Sequence, residues 1–278
     1  MEKITFECEV ITPMFLAGAN GRTPELRPPS IKGAMRFWWR AINANLVENK
    51  NGKCDYTKLI EEEAKIFGSS DEKVGKSKFS IRIMSTILNY KDYSPVPHST
   101  KTFKFAGINP NQTFQIILKP NEKQFRNILE ITLLLGSLGK RSRRGFGSVK
   151  INKINSIIYN SPSSLQELIN LLNKIHNNFK INSNKIDLIK PNSADYPYIK
   201  EIQLGKSYSS SEELLKGIGQ TTHDKNQRSK THLGSANPRQ SSPIYISTLK
   251  ITDNDFRPLI TTLNTALENG HSLSTQQI

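Results

Sequence analysis

The order of periodic segments in the first 159 residues is the feature that most constrains the fold of this chain. Apolar and polar side chains alternate along four segments, at residues 4–11, 79–88, 113–118 and 148–158. A period of two is typical of half-buried β-strands. Segments with apolar residues at helical spacing lie between them at residues 31–46 and 122–135, and a shorter one lies at residues 58–67. The order strand, helix, strand, strand, helix, strand predicts a ferredoxin-like unit, in which two helices cover one face of a four-stranded antiparallel sheet.

A second domain follows this unit in the sequence. The stretch Asn-Ser-Pro-Ser-Ser at residues 160–164 has the composition of a linker or helix cap. Residues 217–242 are polar and basic, which predicts a mobile loop, and residues 243–251 and 256–263 form a predicted hairpin. We therefore predict an α+β chain of two domains, at residues 1–159 and 160–278.

The net charge of the chain indicates a polyanionic partner. The formal charge is +15 and the pI is near 9.7. A field of this sign attracts nucleic acid or an anionic membrane, and the sequence has no apolar span long enough for a membrane helix. Residues 1–159 hold 26 Lys and Arg against 14 Asp and Glu, a net charge of +12, so we expect the first domain to contact nucleic acid. Because the chain opens on a strand pattern rather than a secretion signal, we expect a cytoplasmic protein.

Residues 138–147, here called the arginine loop, read Leu-Gly-Lys-Arg-Ser-Arg-Arg-Gly-Phe-Gly and follow the predicted helix at residues 122–135. Glycine permits positive φ and lets backbone N–H groups approach an anion closely. Arginine and lysine add attraction for phosphate, and the predicted RNA contacts are Lys140, Arg141, Arg143 and Arg144. Phe146 lies between two glycines and is a candidate platform for stacking an unpaired base. The alternative is a solvated basic loop with this ring in the core.

Residues 27–40 place basic side chains at the start and along one face of a predicted helix. Ser30 is a good N-cap, and the free N–H groups of a helix start favour a phosphate. Three of the cations are four residues apart, so they form one stripe on the helix. The predicted RNA contacts here are Arg27, Ser30, Lys32, Arg36 and Arg40. Most of the aromatic residues at positions 37–39 are expected in the core.

A third basic segment, residues 225–239, is a candidate for ordering on RNA, with a plain disordered insertion as the equal alternative. The predicted RNA contacts in it are Lys225, Arg228, Lys230 and Arg239.

The sequence lacks the motifs of a metal site and of a nucleotide-binding loop. The two cysteines and five histidines show no zinc or metalloprotease spacing, and Gly75-Lys76-Ser77 lacks an upstream glycine at phosphate-loop spacing. We therefore expect no metal, no cofactor and no nucleotide hydrolysis.

Three stretches carry a family resemblance: the opening strand with Thr12-Pro13, the Arg-Pro-Pro and Phe-Trp-Trp block at residues 27–41, and the loop at residues 138–149. They resemble the RAMP superfamily of CRISPR-associated proteins, and within it the first subunits of type III-B Cmr effector complexes. The resemblance implies two ferredoxin-like modules, the second degenerate. It also implies a non-catalytic subunit that contacts guide RNA and target RNA near the 3′ end of the guide, beside other Cmr subunits, in antiviral defence.

Two other functions stay open at this point. One is a metal-independent RAMP endoribonuclease that processes guide-RNA precursors, with His98 as general base, because it is the only histidine of the first domain. The other is a general RNA-binding scaffold protein outside any defence complex.

Overall fold

The computed structural model describes residues 2–85, 88–190, 194–228, 235–236 and 239–264. Within these ranges the helices are α1 (Pro28–Ile42), α2 (Thr57–Phe67), α3 (Lys123–Leu135), α4 (Leu165–Leu172) and α5 (Ser211–Arg228). The strands are β1 (Ile4–Val10), β2 (Glu48–Lys50), β3 (Lys53–Asp55), β4 (Ser80–Met84), β5 (Tyr90–Tyr93), β6 (Phe105–Ile108), β7 (Thr113–Lys119), β8 (Val149–Ile154), β9 (Ile157–Ile158), β10 (Phe179–Asn182), β11 (Lys185–Leu188), β12 (Ile199–Leu204), β13 (Ser235–Ala236), β14 (Arg239–Gln240), β15 (Ile244–Thr252) and β16 (Asp255–Leu263). In the described part of the chain, no helix combines the length and the apolar character needed to cross a membrane.

The first sheet has the strand order β4-β7-β1-β8-β9, and its neighbouring strands are antiparallel. Of the four predicted strands of this unit, the second pairs with the third, and the first lies between the third and the fourth. This is the ferredoxin-like order, so the predicted unit is confirmed. Alternate residues of β1 are buried, and among them Phe6 lies opposite Ile116 on one side and Ile154 on the other.

The second sheet has the order β10-β11-β12-β16-β15 and is also antiparallel. Strands β15 and β16 form the predicted hairpin, in which Ile246 lies opposite Ile260. The α+β class with antiparallel sheets is confirmed, and the second module departs from the ferredoxin-like order of the first. The division of the chain into domains at residues 159 and 160 stays a prediction.

Helices α1 and α3 lie between the two sheets. On α1, Met35 and Trp39 belong to the core cluster of the first sheet, whereas Trp38 and Ile42 belong to the cluster of the second sheet. Ten of the thirteen residues of α3 are buried. The buried apolar residues of α3 are divided between the same two core clusters, so this helix is covered from both sides. The two sheets are therefore joined through shared helices.

The start of α1 differs from the sequence prediction. The helix begins at Pro28, with Arg27 as N-cap residue and no side-chain cap. Proline is favoured in the first helical turn because its φ is preset and its missing N–H has no intrahelical role there. Ser30 is therefore inside the first turn and is not the predicted N-cap. The helix also ends earlier than predicted, at Ile42.

The predicted mobile loop at residues 217–242 is wrong for its first part, because α5 continues to Arg228. Leu214, Leu215 and Ile218 of this helix are buried, and these few apolar side chains on one face are enough to hold it against the rest of the protein. Residues 229–234 and 237–238 lie outside the described residues.

Replacing Trp38 with alanine is expected to lower the free energy of unfolding by about 3–5 kcal/mol, because it leaves a cavity where α1 meets β15. The indole is 1% exposed, and its centre lies 5.0 Å from that of Tyr245. Urea unfolding followed by far-UV circular dichroism measures this change. The matched control is Ile60→Ala on α2, since Ile60 is 62% exposed and its loss is expected to stay within about 0.5 kcal/mol. Equal losses for both variants would contradict the shared core.

Candidate nucleic-acid interface

The arginine loop is fixed by backbone hydrogen bonds to neighbouring segments. The Lys140 N–H donates to the Phe15 carbonyl at 2.9 Å, and the Gly145 N–H donates to the Ile246 carbonyl of β15 at 3.0 Å. The predicted positive φ is present at three glycines of the loop, Gly139, Gly145 and Gly147. The glycines serve close packing, because a Cβ at position 147 would collide with the Leu138 carbonyl. The N–H groups of Lys140 and Gly145 donate to protein carbonyls, so they do not form the predicted anion cradle.

Two arginines of the loop point inward, toward the start of β15. Arg143 Nη1 donates to the carbonyl of Ser242, and its guanidinium lies 5.8 Å from the centre of the Tyr245 ring. Arg144 Nη1 donates to the Ser242 hydroxyl at 3.4 Å. Burial, followed by repulsion from the neighbouring arginines, lowers the pKa of Arg144 to about 10. Both side chains connect the loop to the second sheet, and their contacts with RNA stay predictions.

Lys140 and Arg141 are the exposed cations of the loop. Lys140 Nζ lies 5.6 Å from the centre of the Phe105 ring. Arg141 has a φ of 62°, a left-handed conformation that turns the chain into a short 3-10 turn at Ser142–Arg144. Neither side chain forms an ion pair with a carboxylate among the described residues. These two cations are therefore placed to meet a phosphate.

The position of Phe146 corrects the sequence prediction. Its ring is 3% exposed, its centre lies 5.1 Å from that of Phe15, and Leu215 of α5 belongs to the same core cluster. A base needs an open ring face for stacking, and this ring faces other apolar side chains. The predicted stacking platform is therefore wrong, and the alternative of a ring in the core holds.

A cleft of about 500 Å³ opens beside Arg141 of the arginine loop. Its walls are the loop, the segment 95–101 and the middle of α5. The cations that line it are Lys101, Arg141 and Arg144, and two histidines accompany them, His98 and His223. No Asp or Glu is found among the described residues that line it. Two separate elements, the arginine loop and the segment 95–101, therefore direct positive charge into one concave site.

His98 and His223 meet in this cleft although they are far apart in the sequence. Their ring centres are 5.7 Å apart, and the ring planes form an angle of 42°. Burial lowers the pKa of His98, and the surrounding positive charges lower it further, whereas Asp224 has the opposite effect. His98 was a candidate from the sequence, whereas His223 was not, because the polar residues around it predicted a loop.

Gly219 of α5 leaves the space that the imidazole of His98 occupies. A Cβ at Gly219 would collide with the Nδ1 of His98, and this nitrogen is buried without a hydrogen-bond partner among the described groups. Glycine inside a helix costs about 1 kcal/mol relative to alanine. The glycines at positions 217 and 219 were the sequence signal for a close approach to this helix, since Gly217 makes room for Tyr208 in the same way.

The cationic stripe of α1 faces α2 and shares a carboxylate there. The Glu63 carboxylate lies 3.1 Å from Arg36 Nε and 3.4 Å from Arg40 Nε. Arg36 also donates to the carbonyls of Phe67 and Gly68. Lys32 lies over the ring of Phe79, and burial lowers the pKa of its amine. The stripe exists as predicted, but Glu63 offsets part of its charge.

The remaining predicted contacts lie apart from the cleft. Arg27 and Ser30 are half-buried at the start of α1, and the residues that line the cleft do not include them. Lys225 is exposed on α5 and lines a neighbouring cavity. Arg228 and Arg239 belong to α5 and β14, whereas Lys230 lies outside the described residues. Within the described ranges, no three His, Cys, Asp or Glu side chains are grouped closely enough to hold a metal ion.

Comparison with known proteins identifies the family of the chain. The model of the RAMP superfamily matches residues 7–150, a range that contains α1, α2, α3 and the arginine loop. The chain belongs to the RAMP superfamily. This membership confirms the resemblance carried by the opening strand, the Arg-Pro-Pro and Phe-Trp-Trp block and the arginine loop.

Several known proteins and solved structures are similar to the chain. The CRISPR system Cmr subunit Cmr1-2 of Pyrococcus furiosus is 29% identical, over 57% of this chain and 100% of that protein. Subunit Cmr1-1 of the same organism is 33% identical, over 54% of this chain and 48% of its own length. The apo crystal structure of Pyrococcus furiosus Cmr1 aligns with a TM-score of 0.66 at 20% identity, covering 100% of this chain and 95% of that one. A chain of the type III-B Cmr-beta complex bound to cognate target RNA aligns with a TM-score of 0.62 at 13% identity, covering 94% of each. At these identities, the structural matches show the RAMP fold.

Replacing Arg143 with alanine is expected to lower the free energy of unfolding by about 1–3 kcal/mol, because the buried carbonyl of Ser242 loses its charged donor. The control is Arg141→Ala, which removes the same charge from an exposed position of the loop and is expected to change stability by no more than about 0.5 kcal/mol. Urea unfolding of both variants measures the difference. An unchanged stability of the Arg143 variant would contradict its inward, structural role.

Proposed function

We propose that this chain is a non-catalytic RNA-binding subunit of a type III-B CRISPR effector complex of the Cmr type. Its partners are guide RNA, target RNA and other Cmr subunits, it acts in antiviral defence, and its site of action is the cytoplasm. The observation that carries the RNA part of this proposal is the acid-free cleft lined by Lys101, Arg141 and Arg144. The part about the complex is supported by the similarity to Cmr1 subunits.

The distribution of charge supports RNA as the partner. The first 159 residues carry a net charge of +12, and Arg141, an exposed cation of the arginine loop, lines the cleft. Phosphate contacts by such cations supply most of the affinity of proteins for nucleic acid in a sequence-independent way. Strand β1 adds no aromatic platform, because its half-buried positions are Thr5, Glu7 and Glu9. We propose recognition through phosphates, near the 3′ end of the guide.

A ribonuclease is the second candidate, and the meeting of His98 and His223 beside Arg141 is the observation that favours it. Two histidines can act as base and acid in the attack of a 2′-hydroxyl on the neighbouring phosphate. We favour binding without cleavage, because the Nδ1 of His98 faces Gly219 and no carboxylate or carbonyl of the described residues orients the ring through it.

Removing the two cations Lys101 and Arg141 together is expected to weaken the binding of single-stranded RNA about tenfold or more. The logarithmic salt dependence of the affinity should also become shallower by about 1.4, since each phosphate contact on a single strand contributes roughly 0.7. Fluorescence anisotropy of a labelled RNA at several salt concentrations measures both quantities. The control is the pair Lys174→Ala and Lys180→Ala, two exposed lysines outside the cleft that remove the same charge.

Equal effects of the two charge-matched pairs would contradict the assignment of the cleft. The RNA should be recovered intact from these reactions in the presence of a metal chelator. Shortened RNA with cyclic-phosphate ends, formed by the unaltered chain and lost in His98→Gln, would favour the ribonuclease.

The tagged chain, purified from its own host, is expected to bring with it other Cmr subunits and short guide RNA. Mass spectrometry of the proteins and sequencing of the bound RNA identify both. The chain with Trp38→Ala is a control for folding, since a subunit that loses its core should also lose its partners. Recovery of the chain alone, without guide RNA, would favour the general RNA-binding scaffold instead.

A further inference from the structure

The cleft beside the arginine loop has two kinds of wall. The segment 95–101 contributes Pro95, Val96 and Pro97 to its lining, and α5 contributes the apolar side chain of Leu215. The cationic side consists of Lys101, Arg141 and Arg144. Small-molecule sites of a few hundred Å³ usually combine an apolar wall with a few polar groups that fix orientation. The volume of about 500 Å³ is enough for one nucleotide.

We propose that this cleft takes up a single nucleotide of an RNA strand, with its phosphate ester held by Arg141, Lys101 and His98 and its base against the proline and valine wall. This inference rests on the proposed RNA-binding function and adds a defined site to it. Cations on a flat surface would bind the phosphates of an RNA strand without selecting which nucleotide lies at which position. A concave site with an apolar wall places one nucleotide and thereby fixes the register of the strand.

His98 is suited to donate one hydrogen bond in this site. Its Nδ1 is pressed against Gly219 without a hydrogen-bond partner among the described groups, so no acceptor is available for a proton there. The neutral ring then carries its proton on Nε2, which leaves one donor for a ligand. The lowered pKa of His98 agrees with a neutral ring at neutral pH, because burial and the neighbouring cations both disfavour a further positive charge. His98 thus orients the phosphate ester, and the cations hold it.

Gly219 is the positioning residue of this site. Any larger residue there would push the imidazole out of its position, because the added Cβ would overlap its Nδ1. Alanine is the better helix former, so Gly219→Ala should not weaken α5 itself. The variant therefore separates the position of the imidazole from the stability of the helix. Gly33→Ala on α1 is the matched control, since a Cβ at that position meets no other atom within 4 Å.

The test uses two small probes and the full chain. The dinucleotide UpU, which has hydroxyl ends, carries only an internal phosphodiester, and uridine 3′-monophosphate carries a terminal phosphate. Each is titrated against the chain while the imidazole carbon-bound proton resonances are followed by NMR. We expect the resonances of His98 and His223 to shift with saturation at one site, and that of His176, which lies outside the cleft, to stay unchanged. The tighter probe shows whether a strand interior or a strand end occupies the site.

The variants give the expected changes in affinity for the tighter probe. Arg141→Ala should lower the affinity for this probe about tenfold or more, because a charge-assisted contact is lost. His98→Gln and Gly219→Ala should each weaken it severalfold, whereas Gly33→Ala should not. If long RNA binds but neither probe shifts the His98 resonance, or if Gly219→Ala leaves probe affinity unchanged, the nucleotide site is wrong and the RNA-binding function stands. If long RNA does not bind at all, the proposed function itself fails.

Discussion

The position of the arginine loop depends on a buried group of hydroxyls between the two sheets. Ser148 lies at its centre, where its Oγ accepts from the Thr248 N–H of β15 at 2.9 Å and donates to the Gly145 carbonyl at 3.1 Å. Thr12 Oγ1 donates to the same carbonyl at 2.7 Å and accepts from the Ser148 N–H at 2.9 Å. A buried polar group without a partner costs about 1–3 kcal/mol, so these groups hold one another in one arrangement. The end of β1, the loop and β15 are fixed together by this network.

Strand β15 also supplies hydrogen-bond donors to the end of α3, the helix that precedes the arginine loop. The last carbonyls of an α-helix have no intrahelical donor, and β15 supplies two donors near the end of α3. The Ser247 hydroxyl donates to the Leu134 carbonyl at 2.6 Å, and the Tyr245 hydroxyl donates to the Ser137 carbonyl at 3.3 Å. The loop therefore begins after the fixed end of α3 and continues through the hydrogen-bonded Ser148 into β8. Cations held by such a frame lose less conformational freedom on binding, which leaves more of their attraction for the ligand.

Local sequence patterns predicted the main helices and strands, whereas contacts between distant segments determine which side chains line the cleft. The spacing of apolar residues predicted β1, α3 and the hairpin of β15 and β16 to within a few residues, because each has a regular buried face. The composition around Phe146 predicted an open ring, but its burial depends on Phe15 and on Leu215 of α5, which no local pattern contains. The part of α5 beyond residue 216 was missed for the same reason, because the three buried apolar residues that hold the helix have their partners in distant segments. The two glycines of α5 looked like loop residues because the side chains they accommodate come from other segments.

The positions of Asp and Glu in space, unlike their positions along the sequence, decide which basic segment keeps its positive potential. Residues 26–47 and residues 131–166 both lack Asp and Glu, so the two basic segments look equally suited to a polyanion. In the folded chain, Glu63 of α2 reaches the stripe of α1 and pairs with Arg36 and Arg40. No carboxylate among the described residues lines the cleft beside the arginine loop. Because attraction for phosphate depends on the charges that are near in space, the loop retains its positive potential and the helix stripe loses part of its own. Another wall of the cleft is α5, whose polar residues from position 217 onward had predicted a mobile loop.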